Sequence, residues 1–181
     1  MIRAGYVLLL GSLLSLTVWG TAQASRSEGA ATARQGVVRC GGSNFLRLGG
    51  TEIQFTSYVL RNFDSVNPIV IERMRIFDAN GATLLDTAGG GLPPADNAVL
   101  GPANNTLNPN QTALYSSDAL IPFLAQNNRP IQFEVEWSAK KPALSLDVIT
   151  VRHSRQRDPA TGAVQADRAR HAVECRSIVL R

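Results

Sequence analysis

Strict alternation of apolar and polar side chains marks the clearest elements of this chain. Ile131, Phe133, Val135 and Trp137 share one face of a run, and Gln132, Glu134 and Glu136 share the other. A period of two is what a strand with one face in a core requires. Ile53, Phe55, Ser57 and Val59 alternate in the same way with Gln54, Thr56, Tyr58 and Leu60. Turn residues fill 61–68, a β-rich run follows over 68–77, Asp78-Ala79-Asn80-Gly81 closes it, and residues 82–85 return. Asn-Gly after such a run predicts a hairpin across 69–85, because both residues tolerate positive φ. Short strands are expected at Val37-Val38-Arg39-Cys40 and at Ala172-Val173-Glu174-Cys175, and another over 144–151 after Lys140-Lys141-Pro142. A last hairpin is expected to join 149–155 to 168–180 through Asp158-Pro159-Ala160-Thr161-Gly162.

Residues 87–111 are rich in Gly, Pro and Asn. They read as a long surface excursion with one short strand near 98–100, or as a binding loop, since long loops in compact domains often carry function. Residues 112–115 suggest a further strand and 118–124 a single helical turn. No long amphipathic helix and no repeat is visible. Seven or so short strands with this punctuation predict an all-β fold, an antiparallel β-sandwich of immunoglobulin-like or similar type.

The first segment reads as an address. Met1-Ile2-Arg3 supplies a positive start, residues 6–19 an apolar stretch, and Ala22-Gln23-Ala24 the small residues of a cleavage site. The apolar stretch is short for a membrane span of about 20 residues and contains Gly11, Ser12 and Ser15. The expected organisation is a signal peptide over 1–24, a small and polar flexible lead-in over 25–35, and one domain over 36–181, periplasmic or secreted, with no membrane span after cleavage. In an oxidising compartment the only two cysteines, Cys40 and Cys175, are expected to form one disulfide joining the first strand to the last.

Composition narrows the chemistry. The 181-residue chain is 44% hydrophobic and 18% charged, so it is neither disordered nor polytopic in a membrane. Its formal charge of +4 falls to +3 once Arg3 leaves, too small an excess to imply nucleic acid. Two histidines and two cysteines leave little for a metal centre, and no nucleophile elbow, phosphate loop, zinc-protease or calcium-loop motif is present. No cofactor and no metal are expected, and the chain is read as non-enzymatic. Glu134 and Glu136 stand about 7 Å apart along a strand, a spacing that suits glycoside hydrolysis, although a solvated strand face explains them as well. Trp137 fits core packing better than sugar stacking.

The one charge feature with a functional reading is the basic final hairpin, Arg152, His153, Arg155 and Arg157 against Arg168, Arg170 and His171. Alternation puts His153, Arg155 and Arg157 on one side and Arg152 on the other, with Arg168 and Arg170 sharing a side of the partner strand. Guanidinium groups on adjacent strands grip phosphate, sulfate or carboxylate in two-pronged fashion. The alternative is an edge ribbon kept soluble by charge.

The stretch Leu60-Arg61-Asn62-Phe63-Asp64, the strand over 69–77 with its Asp78-Ala79-Asn80-Gly81 turn, and Phe133-Glu134-Val135-Glu136-Trp137 resemble a family of small exported bacterial domains known only as a domain of unknown function. The resemblance spans about residues 50–152 and implies a β-sandwich but no activity. The expectation is therefore an exported domain that binds an envelope protein or an anionic cell-envelope ligand. The alternatives are a structural or assembly subunit pairing through exposed strand edges, and a carbohydrate-active enzyme using Glu134 and Glu136.

Overall fold

The computed structural model describes residues 33–88, 91–125, 129–143, 146–172 and 175–180. The expected signal peptide and most of the lead-in lie outside them. The described residues form eleven strands: β1 (Ala33–Gly41), β2 (Phe45–Arg47), β3 (Glu52–Arg61), β4 (Ile69–Phe77), β5 (Thr83–Asp86), β6 (Thr106–Leu107), β7 (Thr112–Ser116), β8 (Gln132–Ala143), β9 (Asp147–Arg157), β10 (Val164–Ala172) and β11 (Cys175–Val179). They form two antiparallel sheets. One runs β11-β1-β8-β4-β5 with β6 beside β4, and the other runs β10-β9-β3-β2 with β7 beside β3. The β-sandwich is as expected, with more strands than seven because short pieces such as β2 and β6 pair at the margins.

Between the sheets lie Val38 and Cys40 of β1, Phe133, Val135 and Trp137 of β8, Ile69, Ile71, Met74 and Ile76 of β4, and, from the facing sheet, Tyr58, Leu60, Ala113, Tyr115 and Val148. Phe133 joins the layers: its ring stacks on Tyr58 with centroids 4.3 Å apart and meets Tyr115 at 6.3 Å. In β4 the buried positions change phase between Ile71 and Met74, where a bulge shifts the register against β8. The extra residue preserves an apolar inner face in a run whose sequence does not alternate regularly. Trp137 is in the core, and its indole lies over Gly36, where a Cβ would stand 2.8 Å from Nε1.

Several local expectations are corrected. The strand β1 begins at Ala33, so the last three residues of the lead-in belong to the sheet. Lys140, Lys141 and Pro142 lie inside β8 rather than in a turn. The core face of β3 is Thr56, Tyr58 and Leu60, whereas Phe55 is buried on the opposite face. The hairpin over β4 and β5 is present, but only Gly81 takes a positive φ, at 83°. Asp78 organises the turn by accepting from the backbone N–H groups of Asn80 and Ala82 at 2.8 and 2.9 Å. The segment 87–111 has its strand at 106–107, not at 98–100, and sends Leu92, Ala95, Leu100 and Leu107 into the core. The expected single turn is a 3₁₀ helix, Ile121–Phe123.

Asn62, 1% exposed, pins this loop to its neighbour. Its amide nitrogen reaches the carbonyls of Asn67, Leu107 and Asn108 at 3.0 to 3.2 Å, and its oxygen accepts from the Asp64 N–H.

The C-terminal segment does not return as one strand. β10 pairs β9, and the chain then crosses to the other sheet, where β11 pairs β1. Cys40 and Cys175 are directly paired across β1 and β11 and form the disulfide, 135 residues apart in sequence.

Two stability outcomes follow. Cys40→Ser with Cys175→Ser should lower stability by about 2–4 kcal/mol through the longer-loop denatured ensemble, read as a lower urea midpoint equal to that of the reduced wild type. Asn62→Asp should cost about 3 kcal/mol or more, because a carboxylate would face two or three carbonyls that now receive a donor. Asn62→Ser should cost less in the same melt.

Candidate functional site

The residues of the basic hairpin are placed by register. Across β3, β9 and β10, Gln54 stands opposite Ser154 and Ser154 opposite Arg168, while Thr56 stands opposite Arg152 and Arg152 opposite Arg170. Directly paired residues point to the same side of a sheet. On β9 this side also carries Val148 and Thr150, both buried in the sandwich. The inner face of this sheet is thus continuous, apolar where the other sheet covers it and polar where it runs beyond. Arg152 is exposed two positions past Thr150, and Gln54 and Glu52 are partly exposed beyond Thr56.

The uncovered part forms a hollow of about 340 Å³ lined by Glu52, Gln54, Arg152, Ser154, Arg168 and Arg170, with His153 at its margin. A second hollow of about 200 Å³ continues from it and shares Glu52, Ser154 and Arg168. Ser154 Oγ donates to Glu52 Oε1 at 2.9 Å, and Gln54 Nε2 donates to the same oxygen at 3.2 Å. Three guanidinium groups therefore converge with one carboxylate on an open concave surface, and Arg168 and Arg170 are exposed. Such groups bind oxyanions by paired N–H donors with their charge retained at any physiological pH.

His153 and Arg155 are on the other face and are engaged there. The His153 ring stacks on Phe55 at 4.6 Å with the planes 4° apart, and the Arg155 guanidinium lies 4.9 Å from the same phenyl ring. Arg155 also donates Nε and Nη2 to Asp167 Oδ2 at 3.1 and 2.9 Å. Arg157 Nη1 reaches the Gly162 carbonyl in the β9–β10 turn at 3.4 Å. His171 occupies the register position opposite Val151. The expected ribbon is accordingly divided: Arg152, Arg168 and Arg170 come together, whereas His153, Arg155 and Arg157 build the opposite face.

That opposite face holds a Ser–His–Asp line. Ser57 Oγ is 3.2 Å from His153 Nε2, and His153 Nδ1 is 3.6 Å from Asp167 Oδ1. Ser57 is 7% exposed and lies where β3 pairs with both β7 and β9. Its backbone is committed to the ladders and its hydroxyl to His153, which restricts access to it. The line orients His153 over Phe55.

The two glutamates of β8 also differ from expectation. Glu134 is 4% exposed rather than solvated, and its carboxylate is ion-paired with Arg39 of β1 and Arg75 of β4. Glu136 pairs with Arg75 at 2.6 Å, and Arg73 forks onto Asp86 with Nε–Oδ1 and Nη2–Oδ2 contacts of 2.8 and 2.5 Å. Both carboxylates thus belong to an alternating charge row across the outer face of the first sheet. Hydrogen bonding by Arg73, and then by the Ala88 N–H, holds Asp86 well below the usual range, at about 2. Among the described residues, no group of three His, Cys, Asp or Glu is placed to hold a metal ion, and no helix is long and apolar enough to cross a membrane.

Glu52, Gln54 and Ser154 escaped sequence reading as site residues. Their signal was a change of character along one strand face, from Leu60 and Tyr58 to Gln54 and Glu52, matched by Val148 and Thr150 giving way to Arg152 and Ser154.

No family model and no curated protein matches the chain. Among solved structures, the crystal structure of Thermotoga maritima 1070 aligns over 80% of this chain and 94% of that chain, with 9% identity and a TM-score of 0.36. A likeness of that degree carries no argument about function.

The charge row has a pH signature. Because Asp86 ionises at about 2 when folded against an ordinary 3.8, its contribution is fully present above pH 4 and is lost as the pH falls through 2. Asp86→Asn should be less stable than wild type at neutral pH, with the gap closing between about pH 4 and 2 in denaturant titrations.

Proposed function

We propose that this is an exported, non-enzymatic binding domain that takes an anionic cell-envelope ligand, free or borne by an envelope partner, into the hollow of Arg152, Arg168 and Arg170. The observation that carries this reading is the register of β10 on β9, which sets Arg170 opposite Arg152 and Arg168 one row away, on the stretch of inner face that the first sheet leaves open. Three guanidinium groups on one concave surface exceed what keeping an edge strand soluble requires. The disulfide is compatible with export.

Arg168→Ala with Arg170→Ala should abolish salt-sensitive binding of polyanions while leaving the melting temperature of the free protein within a degree or two of wild type. A ligand at 100 times its dissociation constant stabilises by about 2.7 kcal/mol, a shift of several degrees in a domain of this size. Arg155→Ala should do the reverse, lowering stability through loss of Asp167 and Phe55 contacts but keeping the ligand-induced shift. Unchanged binding in the double variant would remove the hollow from the account.

A second reading, assembly through strand edges, is favoured by β11. This edge strand exposes Ile178 and Val179, with Leu180 after it, at 45%, 42% and 46%, the kind of edge that natural sheets usually blunt with charge. Concentration-dependent oligomers abolished by Ile178→Lys would support it, and a monomer at high concentration would dismiss it.

A further inference from the structure

We infer that the ligand of the hollow is an acidic saccharide, a sugar chain carrying carboxylates, rather than a bare polyanion such as a phosphate chain. This rests on the anion-binding reading above and names its ligand class. The grounds are the groups that share the surface with the arginines.

Four strands contribute to one cross-sheet row: Phe45 of β2 opposite Gln54 of β3, Gln54 opposite Ser154 of β9, and Ser154 opposite Arg168 of β10. Paired residues share a face, so the row presents in order an aromatic ring, an amide, a hydroxyl and a guanidinium. Phe45 is partly exposed and stands one strand beyond the lining residue Gln54, at the edge of the hollow rather than in its wall. Next to this row, about 7 Å along the strands, Arg152 and Arg170 add two cations, and on its other side Glu52 stands opposite Gln156. Each kind of group matches a different part of a sugar acid. An aromatic face packs on the C–H side of a pyranose ring, amide and hydroxyl groups exchange hydrogen bonds with ring hydroxyls, and the guanidinium groups take the carboxylate.

Glu52 decides between ligand classes. Its carboxylate, held by Ser154 and Gln54, sits on the same concave surface as Arg168 and lines both hollows. An ionised carboxylate accepts hydrogen bonds and donates none. Against a phosphate chain it is only repulsive, whereas against a polyol it is a strong acceptor for hydroxyl hydrogens. A surface shaped for charge alone gains nothing from an acid at its centre. One shaped for a charged polyol uses acid and base side by side. The two hollows share Glu52, Ser154 and Arg168 and together offer room for more than one sugar unit.

The test uses the oxidised mature protein with three probes: a galacturonic acid oligomer, inorganic polyphosphate of matched charge, and a neutral oligomer of similar length. Binding is read by calorimetry and thermal shift at low and moderate salt. The uronate oligomer should bind about tenfold or more tighter than polyphosphate, a difference of one decade in dissociation constant, and the neutral oligomer weakly or not at all. Glu52→Gln keeps shape and removes the charge. It should weaken uronate binding several-fold and strengthen polyphosphate binding, with the melting temperature of the free protein confirming that it folds. Phe45→Leu should weaken only the uronate. If polyphosphate binds as tightly as the uronate and Glu52→Gln strengthens both, the saccharide inference fails while the anion site stands. If neither charged probe binds, or if Arg168→Ala with Arg170→Ala leaves their binding unchanged, the anion site fails as well.

Discussion

The antiparallel register of β9, held between β3 on one side and β10 on the other, is the constraint on which the candidate site depends. Side chains alternate along a strand, so a slip of one residue would send Arg152, Ser154 and their partners to the opposite face. The slip is forbidden at the other end of the same strand, where Val148 and Thr150 are packed into the sandwich beside Leu60 and Tyr58. Burial of the apolar surface there, at about 25 cal/mol per Å², therefore fixes the position of the arginines on the same face. The core aims the site.

The two faces of the same sheet show what this alternation does to a cluster of like charges. On the outer face Arg155 meets Asp167 and covers Phe55, and His153 stacks on the same ring. Both side chains are engaged locally and act as structure. On the inner face Arg152, Arg168 and Arg170 line the hollow together with Glu52, and Arg168 and Arg170 are exposed there. The first sheet solves a similar problem differently: its outer face alternates sign from strand to strand, so that Glu134, although nearly buried, is held by Arg39 and Arg75. Desolvating such a carboxylate costs several kcal/mol unless it is paired, and that cost explains why both arginines are drawn onto it.

The disulfide bears on the site indirectly. By tying β11 to β1 it commits the last segment to the first sheet, and β10 alone remains to flank β9. Had the tail continued beside β9 as one long strand, its two ends would have belonged to one sheet, and the chain closure between the layers would have been lost. The covalent link thus supports the divided course of the C-terminal segment, in which nine residues serve one sheet and five the other.

By itself the sequence determined the class of the fold, because strict alternation at 131–137 and the β-rich run at 53–60, with glycine, proline and asparagine between runs, admit little besides a two-layer β structure. It determined the cysteine pair, since only two are present, and the core place of Trp137, which continues the series of Phe133 and Val135. Tertiary structure alone decided which face of β3 is the core, because both faces carry apolar residues and only the opposing sheet selects Tyr58 and Leu60 over Phe55. It alone decided that Glu134 is buried under arginines from two neighbouring strands, contacts made across sequence separations of 95 and 59 residues. It also sorted the arginines, since alternation names the two sides of a strand but not which one the other sheet covers, nor where that cover ends. The hollow exists because one sheet extends beyond its partner, and that is a property of packed layers rather than of any single strand.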